Sequence, residues 1–174
     1  MNSGWKKSSL GFAIGPVLAV IAMIAIAGGS VLKMTSKTAR GERIFQNQAE
    51  VMNQSRYIGN RLRQCVILYP AGNNGTGFNV KYPGATVAMA VSSLTCPGQP
   101  NPNNLWTGKG GTFPPRPIAG FSNWTYQNDA SGVRIMLSSG GIQDNMTVLQ
   151  NVASKFSATE AAYSGGVLTV FITN

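Results

Sequence analysis

The sequence predicts an α+β fold, in which a long N-terminal helix, apolar at first and amphipathic after, packs on a small antiparallel sheet. Three observations carry that expectation. Residues 8–32 hold no charge, and residues 33–69 hold no proline and repeat apolar side chains at three- and four-residue steps. Beyond Pro70 the chain breaks into short segments punctuated by glycine and proline, several of which read as strands. At 174 residues there is room for one domain and an appendage.

The uncharged run from Ser8 to Leu32 comes first. At about 1.5 Å per residue its core can span a hydrocarbon layer of about 30 Å. Three readings compete: a permanent anchor, a secretory signal cut after Ala27 in Ala25-Ile26-Ala27-Gly28, or a short cleaved leader joined to a helix. Proline fits the first turn of a helix, where its missing N–H would have no acceptor, so a helix beginning near Gly15 accommodates Pro16. Gly28-Gly29 is expected to interrupt it, at about 1 kcal/mol for each glycine, as a packing spot, a helix end or a weak point.

From Lys33 to Tyr69, Phe45, Ala49, Met52, Gly59, Leu62, Val66 and Tyr69 form the expected buried stripe of an amphipathic helix, ended by Pro70 and Gly72. The remainder, 70–174, is the expected head domain. In it Thr86–Leu94 is either a short helix or a strand. Residues 97–120 hold six of the nine prolines and five glycines and are expected to be irregular. Strands follow at Ser122–Gln127, Gly132–Ser138 and Val167–Thr173, with a helix at Asp144–Phe156 and a hairpin turn at Ser164-Gly165-Gly166.

Composition excludes most chemistry. Charged residues are 11%, there is no histidine, and the only carboxylates are Glu42, Glu50, Asp129, Asp144 and Glu160. Histidine triads, histidine metal sites and most acid–base schemes are removed together. Gly108-Lys109 fails as a phosphate loop, because Asn103 replaces the first glycine and Gly110 the Ser or Thr. Ser30-Val31-Leu32-Lys33 lacks any Lys-Thr-Gly partner, and Asp129 with Asp144 makes no calcium motif. Neither catalysis, a cofactor nor a metal is expected.

Of the net charge of +9, the stretch 33–63 contributes seven bases against two acids. Anionic lipid or neighbouring subunits are the nearest partners for such a stripe; nucleic acid is compatible with it but specified by no motif. Charge on the two sides of the apolar run is too balanced to orient it. Cys65 and Cys96, in a chain with an export segment, favour a disulfide over free thiols and so place the head outside the cytoplasm. Within 97–120, Trp106, Lys109, Phe113 and Arg116 combine aromatic anchors with cations, which suits binding to protein, glycan or nucleic acid. The alternative is a crossover whose aromatics fold back onto the sheet.

A short basic leader, residues 1–11, meets Phe12, and the apolar segment 12–32 lies wholly behind that junction: Gly11-Phe12-Ala13-Ile14-Gly15-Pro16. This resembles the type IV pilin and pseudopilin N-terminus. The resemblance implies cleavage after Gly11 by a prepilin peptidase, methylation of Phe12, and a pilin-like fold. It also implies assembly through the N-terminal helix, where Phe12, Pro16, Gly28 and Gly29 lie. The implied partners are other pilin-like subunits and an inner-membrane assembly platform. The protein would reside in the inner membrane with its head in the periplasm, then in an extracellular filament of a type IV pilus or type II secretion system. Two positions depart from the family pattern: Leu10 precedes the cleavage glycine, and Pro16 stands where pilins carry a glutamate. Loss of that glutamate implies a minor or tip subunit.

Overall fold

The computed structural model describes residues 14–72, 77–98, 103–107 and 112–173, with side chains from Thr38 to Ile172. Helix α1 spans Ile14–Leu68, and the chain divides into two units, Met1–Glu42 and Arg43–Asn174. In the first unit the described backbone is helical, and it passes through Gly28-Gly29 without the expected interruption. Glycine weakens a helix through backbone entropy, yet it keeps its N–H, so the hydrogen-bond ladder need not break there. Gly11 and Phe12 lie outside the described residues, as do the side chains of the apolar run, including Pro16. Among the described residues no helix is long and apolar enough to cross a membrane.

The second unit is mixed helix and sheet. Its main sheet has five antiparallel strands in the order β1-β4-β5-β7-β6. These are β1 (Ala85–Ala90), β4 (Thr125–Asp129), β5 (Gly132–Ser138), β6 (Ala161–Ser164) and β7 (Val167–Thr173). A two-residue ladder pairs β2 (Thr95–Cys96) with β3 (Asn103–Asn104). Helix α2 (Gln143–Ala153) packs against β6 and β7. The Thr86–Leu94 segment resolves as strand β1 followed by one 3₁₀ turn at Val91–Ser93.

One sheet face makes the core. Tyr126, Ile135, Val170 and Ala161 occupy one cross-strand row, and Leu137 pairs with Leu168; all six are buried. They share a cluster with Val51, Ile58, Leu62 and Cys65 of α1 and with Val148, Leu149 and Val152 of α2. The intervening residues, such as Gln127, Arg134, Met136 and Thr169, lie on the opposite face and are only half-buried. Alternation therefore sets which side of the sheet receives the helices.

The buried seam of α1 corrects the expected stripe. Val51, Ser55, Ile58, Leu62 and Cys65 point inward at four- and three-residue steps, whereas Phe45 and Ala49 are exposed. Of the expected set, Gly59 and Leu62 are buried and Met52, Val66 and Tyr69 are half-buried. The seam is rotated by roughly one residue because two polar side chains, Gln54 and Ser55, are taken inside. Ser55 can be buried because its hydroxyl donates to the Met52 carbonyl one turn earlier, at 2.9 Å.

Turns complete the frame. Ser164 pairs with Val167 around Gly165-Gly166, both at positive φ (56° and 79°). Two left-handed residues in a two-residue loop match the right-handed twist of the flanking strands, and glycine adopts that conformation without a Cβ clash. Cys65 and Cys96 form a disulfide with a Cα–Cα separation of 5.3 Å, joining the last turn of α1 to β2.

Candidate functional site

Between β3 and β4 the described chain from Thr112 to Ile118 crosses the unit as a strap with neither helix nor strand. Prolines 114, 115 and 117 explain why. They supply no N–H for a ladder, and each disfavours helical geometry in the residue before it.

Side chains hold the strap instead. Gln54, on the buried seam of α1, donates from Nε2 to the Arg116 carbonyl at 2.9 Å and to Glu50 Oε1 at 2.7 Å. Its Oε1 accepts from Trp124 Nε1 at 2.8 Å. Trp124 is buried just before β4, so one glutamine connects helix, strap and sheet. One turn along α1 the Tyr57 hydroxyl donates to the Phe113 carbonyl at 3.1 Å. Downstream, Asn145 of α2 donates from Nδ2 to the carbonyls of Gly120 and Ser139 at 2.7 and 3.2 Å. A Cβ on Gly140 would sit 2.8 Å from the Gly120 carbonyl oxygen, so glycine is required there for this close approach.

Of the four residues expected to form a displayed surface, two are displayed. Phe113 is 58% exposed and Arg116 is exposed beside it. Trp106 is not on the surface: it is 6% exposed and belongs to the core. Its indole Nε1 donates to the Val91 carbonyl at 2.7 Å, and its ring centroid lies 5.7 Å from that of Tyr57. A large apolar ring with one donor is best satisfied where area and acceptor are both available, and the 3₁₀ turn at Val91 offers both. Lys109 lies outside the described residues. The strap's own anchors, Gln54, Tyr57 and Trp124, were not among the expected site residues.

Two of the clefts beside the strap reach neighbouring elements. One, of about 210 Å³, lies between it and Val91, Ser122 and Trp124. The other, of about 300 Å³, lies between it and Glu50, Asn53 and Tyr57. Both are shallow, and neither holds a nucleophile beside a base. Among the described residues no group of three His, Cys, Asp or Glu side chains could hold a metal ion.

Four other ionisable groups are shifted by their surroundings. Asp129 is held below the usual carboxylate range first by its hydrogen bond to Arg134, with Nη2 at 2.9 Å from Oδ2, and then by the Ser131 N–H. Glu160 is lowered by the N–H and hydroxyl of Ser157, at 3.0 and 2.8 Å. Burial raises Tyr126, whose hydroxyl donates to the Pro83 carbonyl at 2.9 Å, and raises Tyr82, with Arg63 opposing that shift. Arg61, part of the basic stripe, turns into the head and donates to the Leu105 carbonyl at 2.9 Å, whereas Arg43, Arg56 and Arg63 remain exposed. No protein-family model, curated protein or solved structure matches this chain.

Proposed function

We propose that this protein is a structural subunit of a type IV pilus-like or type II secretion pseudopilus-like filament, of the minor or tip kind. In this reading it is trimmed after Gly11 and assembled through its N-terminal helix, without catalysis. The observation that carries it is one continuous element. The apolar run behind the Gly-Phe junction lies on α1 from Ile14 onward, and the later turns of α1, from Val51 to Cys65, are the spine of the head's core. The disulfide between Cys65 and Cys96 supports an extracytoplasmic head. Assembly would replace lipid around the apolar segment with copies of the same helix. The exposed Arg43, Arg56 and Arg63 would then meet acidic or carbonyl groups of neighbouring subunits. Pro16, at the position of the family's glutamate, removes the usual ion pair with a neighbour's terminal amine and favours the minor or tip role.

The test is the N-terminal sequence and intact mass of protein recovered from its native envelope. The expected chain starts at Phe12 and carries one methyl group, and Gly11→Asp accumulates as uncleaved precursor in the inner membrane. A start at Gly28 would make it an exported binding module, and an intact Met1 a membrane-anchored domain; either result overturns the filament reading.

A further inference from the structure

The outward face of the strap has a defined conformation and an unanswered charge. Residues 113–117 read Phe-Pro-Pro-Arg-Pro. Three rings fix φ near −65°, and Phe113, Pro114 and Arg116 each precede a proline and are thereby confined to extended or polyproline II geometry. The contacts agree with that geometry. The carbonyls of Phe113 and Arg116 both face α1, where they accept from Tyr57 and Gln54. They are three residues apart, which is one turn of a polyproline II helix.

The same repeat turns part of the segment outward and leaves Pro114 and Pro115 half-buried. Phe113, Arg116 and Pro117 are exposed, and an open cleft of about 500 Å³ runs beside residues 113–117. Among the described residues the Arg116 side chain has no hydrogen bond and no ion pair. We infer that Phe113–Pro117 is a docking motif for a partner protein that reads polyproline II, through a groove lined with aromatic rings and a carboxylate placed to receive Arg116. Such a ligand loses little conformational entropy on binding because it is already ordered, here by its own rings and by the two anchors on α1.

The charge argues for this partner over others. Against a second copy of the chain, three of its five carboxylates are already engaged: Asp129 with Arg134, Glu160 with Ser157 and Glu50 with Gln54. Anionic lipid and nucleic acid are held by several cations together, whereas this motif offers one guanidinium between prolines. The inference goes beyond the filament reading and stands independently of it.

The test uses the full chain in detergent micelles and, as the probe, a purified SH3 domain with an acidic specificity pocket, labelled with ¹⁵N. The expected result is a set of shift changes confined to the probe's aromatic groove and acidic pocket. Arg116→Glu and Pro114→Ala are each expected to weaken binding at least tenfold, with Arg116→Lys intermediate, while circular dichroism stays that of the parent chain. No binding by the parent chain, or equal binding by Arg116→Glu, overturns the inference. So does binding by a free peptide of residues 111–119 but not by the intact chain, which would show the strap locked against α1. Association with anionic vesicles or DNA that is abolished by Arg116→Glu, with the probe unmoved, assigns the cation to another class of ligand and also overturns it.

Discussion

Gln54 shows how one polar side chain can organise a surface from inside. It is 7% exposed, and its amide is fully used: Oε1 accepts from Trp124, and Nε2 donates to Glu50 and to the Arg116 carbonyl. Because the indole N–H can only donate, it fixes which end of the amide faces the sheet. Gln54→Leu would keep the volume and remove all three bonds. The Trp124 N–H would then be buried without an acceptor, at a cost of about 1–3 kcal/mol. A lower thermal midpoint together with a shifted Trp124 fluorescence maximum is expected, and an unchanged midpoint would show that water replaces the amide freely. Asn128 works in the same way at the far end of β4. Its side chain is fully buried, donates to the carbonyls of Asn79 and Pro83, and accepts from the Asn79 N–H, each at 3.0 Å. Burying an amide is tolerable there because every polar atom is matched.

Among the elements, the join between α1 and β2 depends most on a covalent bond. β2 is only two residues long and pairs with a two-residue partner, so backbone hydrogen bonds alone hold it weakly. The disulfide closes a 31-residue separation, worth about 3–4 kcal/mol in the chain-entropy description. Replacing Cys65 and Cys96 together by serine is expected to lower the unfolding free energy by about that amount in urea titrations. A loss under 1 kcal/mol would show that β2 and the Trp106 segment hold themselves. How well each element could be read in advance follows from the same physics. Strands β5 and β7 stand at Gly132–Ser138 and Val167–Thr173, where β-branched residues and flanking turn signals placed them. β6, Ala161-Ala162-Tyr163-Ser164, has no β-branched residue and is a strand only because the Gly165-Gly166 hairpin lays it against the β7 edge. β1 read equally as helix or strand, since its apolar run has no period; pairing with β4 decides it. Trp106 lies in a stretch whose local composition says only that it is irregular. Its burial depends on Tyr57 and Val91, which are distant in sequence. The strap was visible as a proline cluster, but its anchors were not, because Gln54 and Tyr57 resemble ordinary polar positions of a helix until the loop is laid over them.

At the scale of the whole molecule, the titratable inventory sets the shape of stability against pH. There is no histidine, and both cysteines are in the disulfide, so no side chain has its ordinary titration range between pH 5 and 8. The acid limb comes from Asp129 and Glu160. Both are bound as carboxylates in the folded state and lowered there, by Arg134 and Ser157 respectively. As pH falls, the unfolded chain takes up protons first, so their contribution is fully present above the ordinary carboxylate values and disappears below about pH 4. Glu160 is exposed and Asp129 is only partly buried, so this limb is shallow and weakened further by salt. The alkaline limb has the opposite sign. Burial raises Tyr126 and Tyr82, so the unfolded chain releases its phenolic protons first and stability falls once pH passes about 10. Tyr126 dominates this limb, because its hydroxyl lies in the core against the Pro83 carbonyl and ionising it would bury a charge opposite a carbonyl oxygen. Thermal midpoints measured from pH 2 to 11 are therefore expected to form a plateau between about pH 5 and 9, with a gentle acid shoulder and a steeper alkaline fall. Tyr126→Phe would remove most of the alkaline fall and leave the acid shoulder unchanged. A step inside the plateau, or an alkaline limb that Tyr126→Phe leaves at its full height, would mean that the head is held by a charge its hydrogen bonds do not reveal.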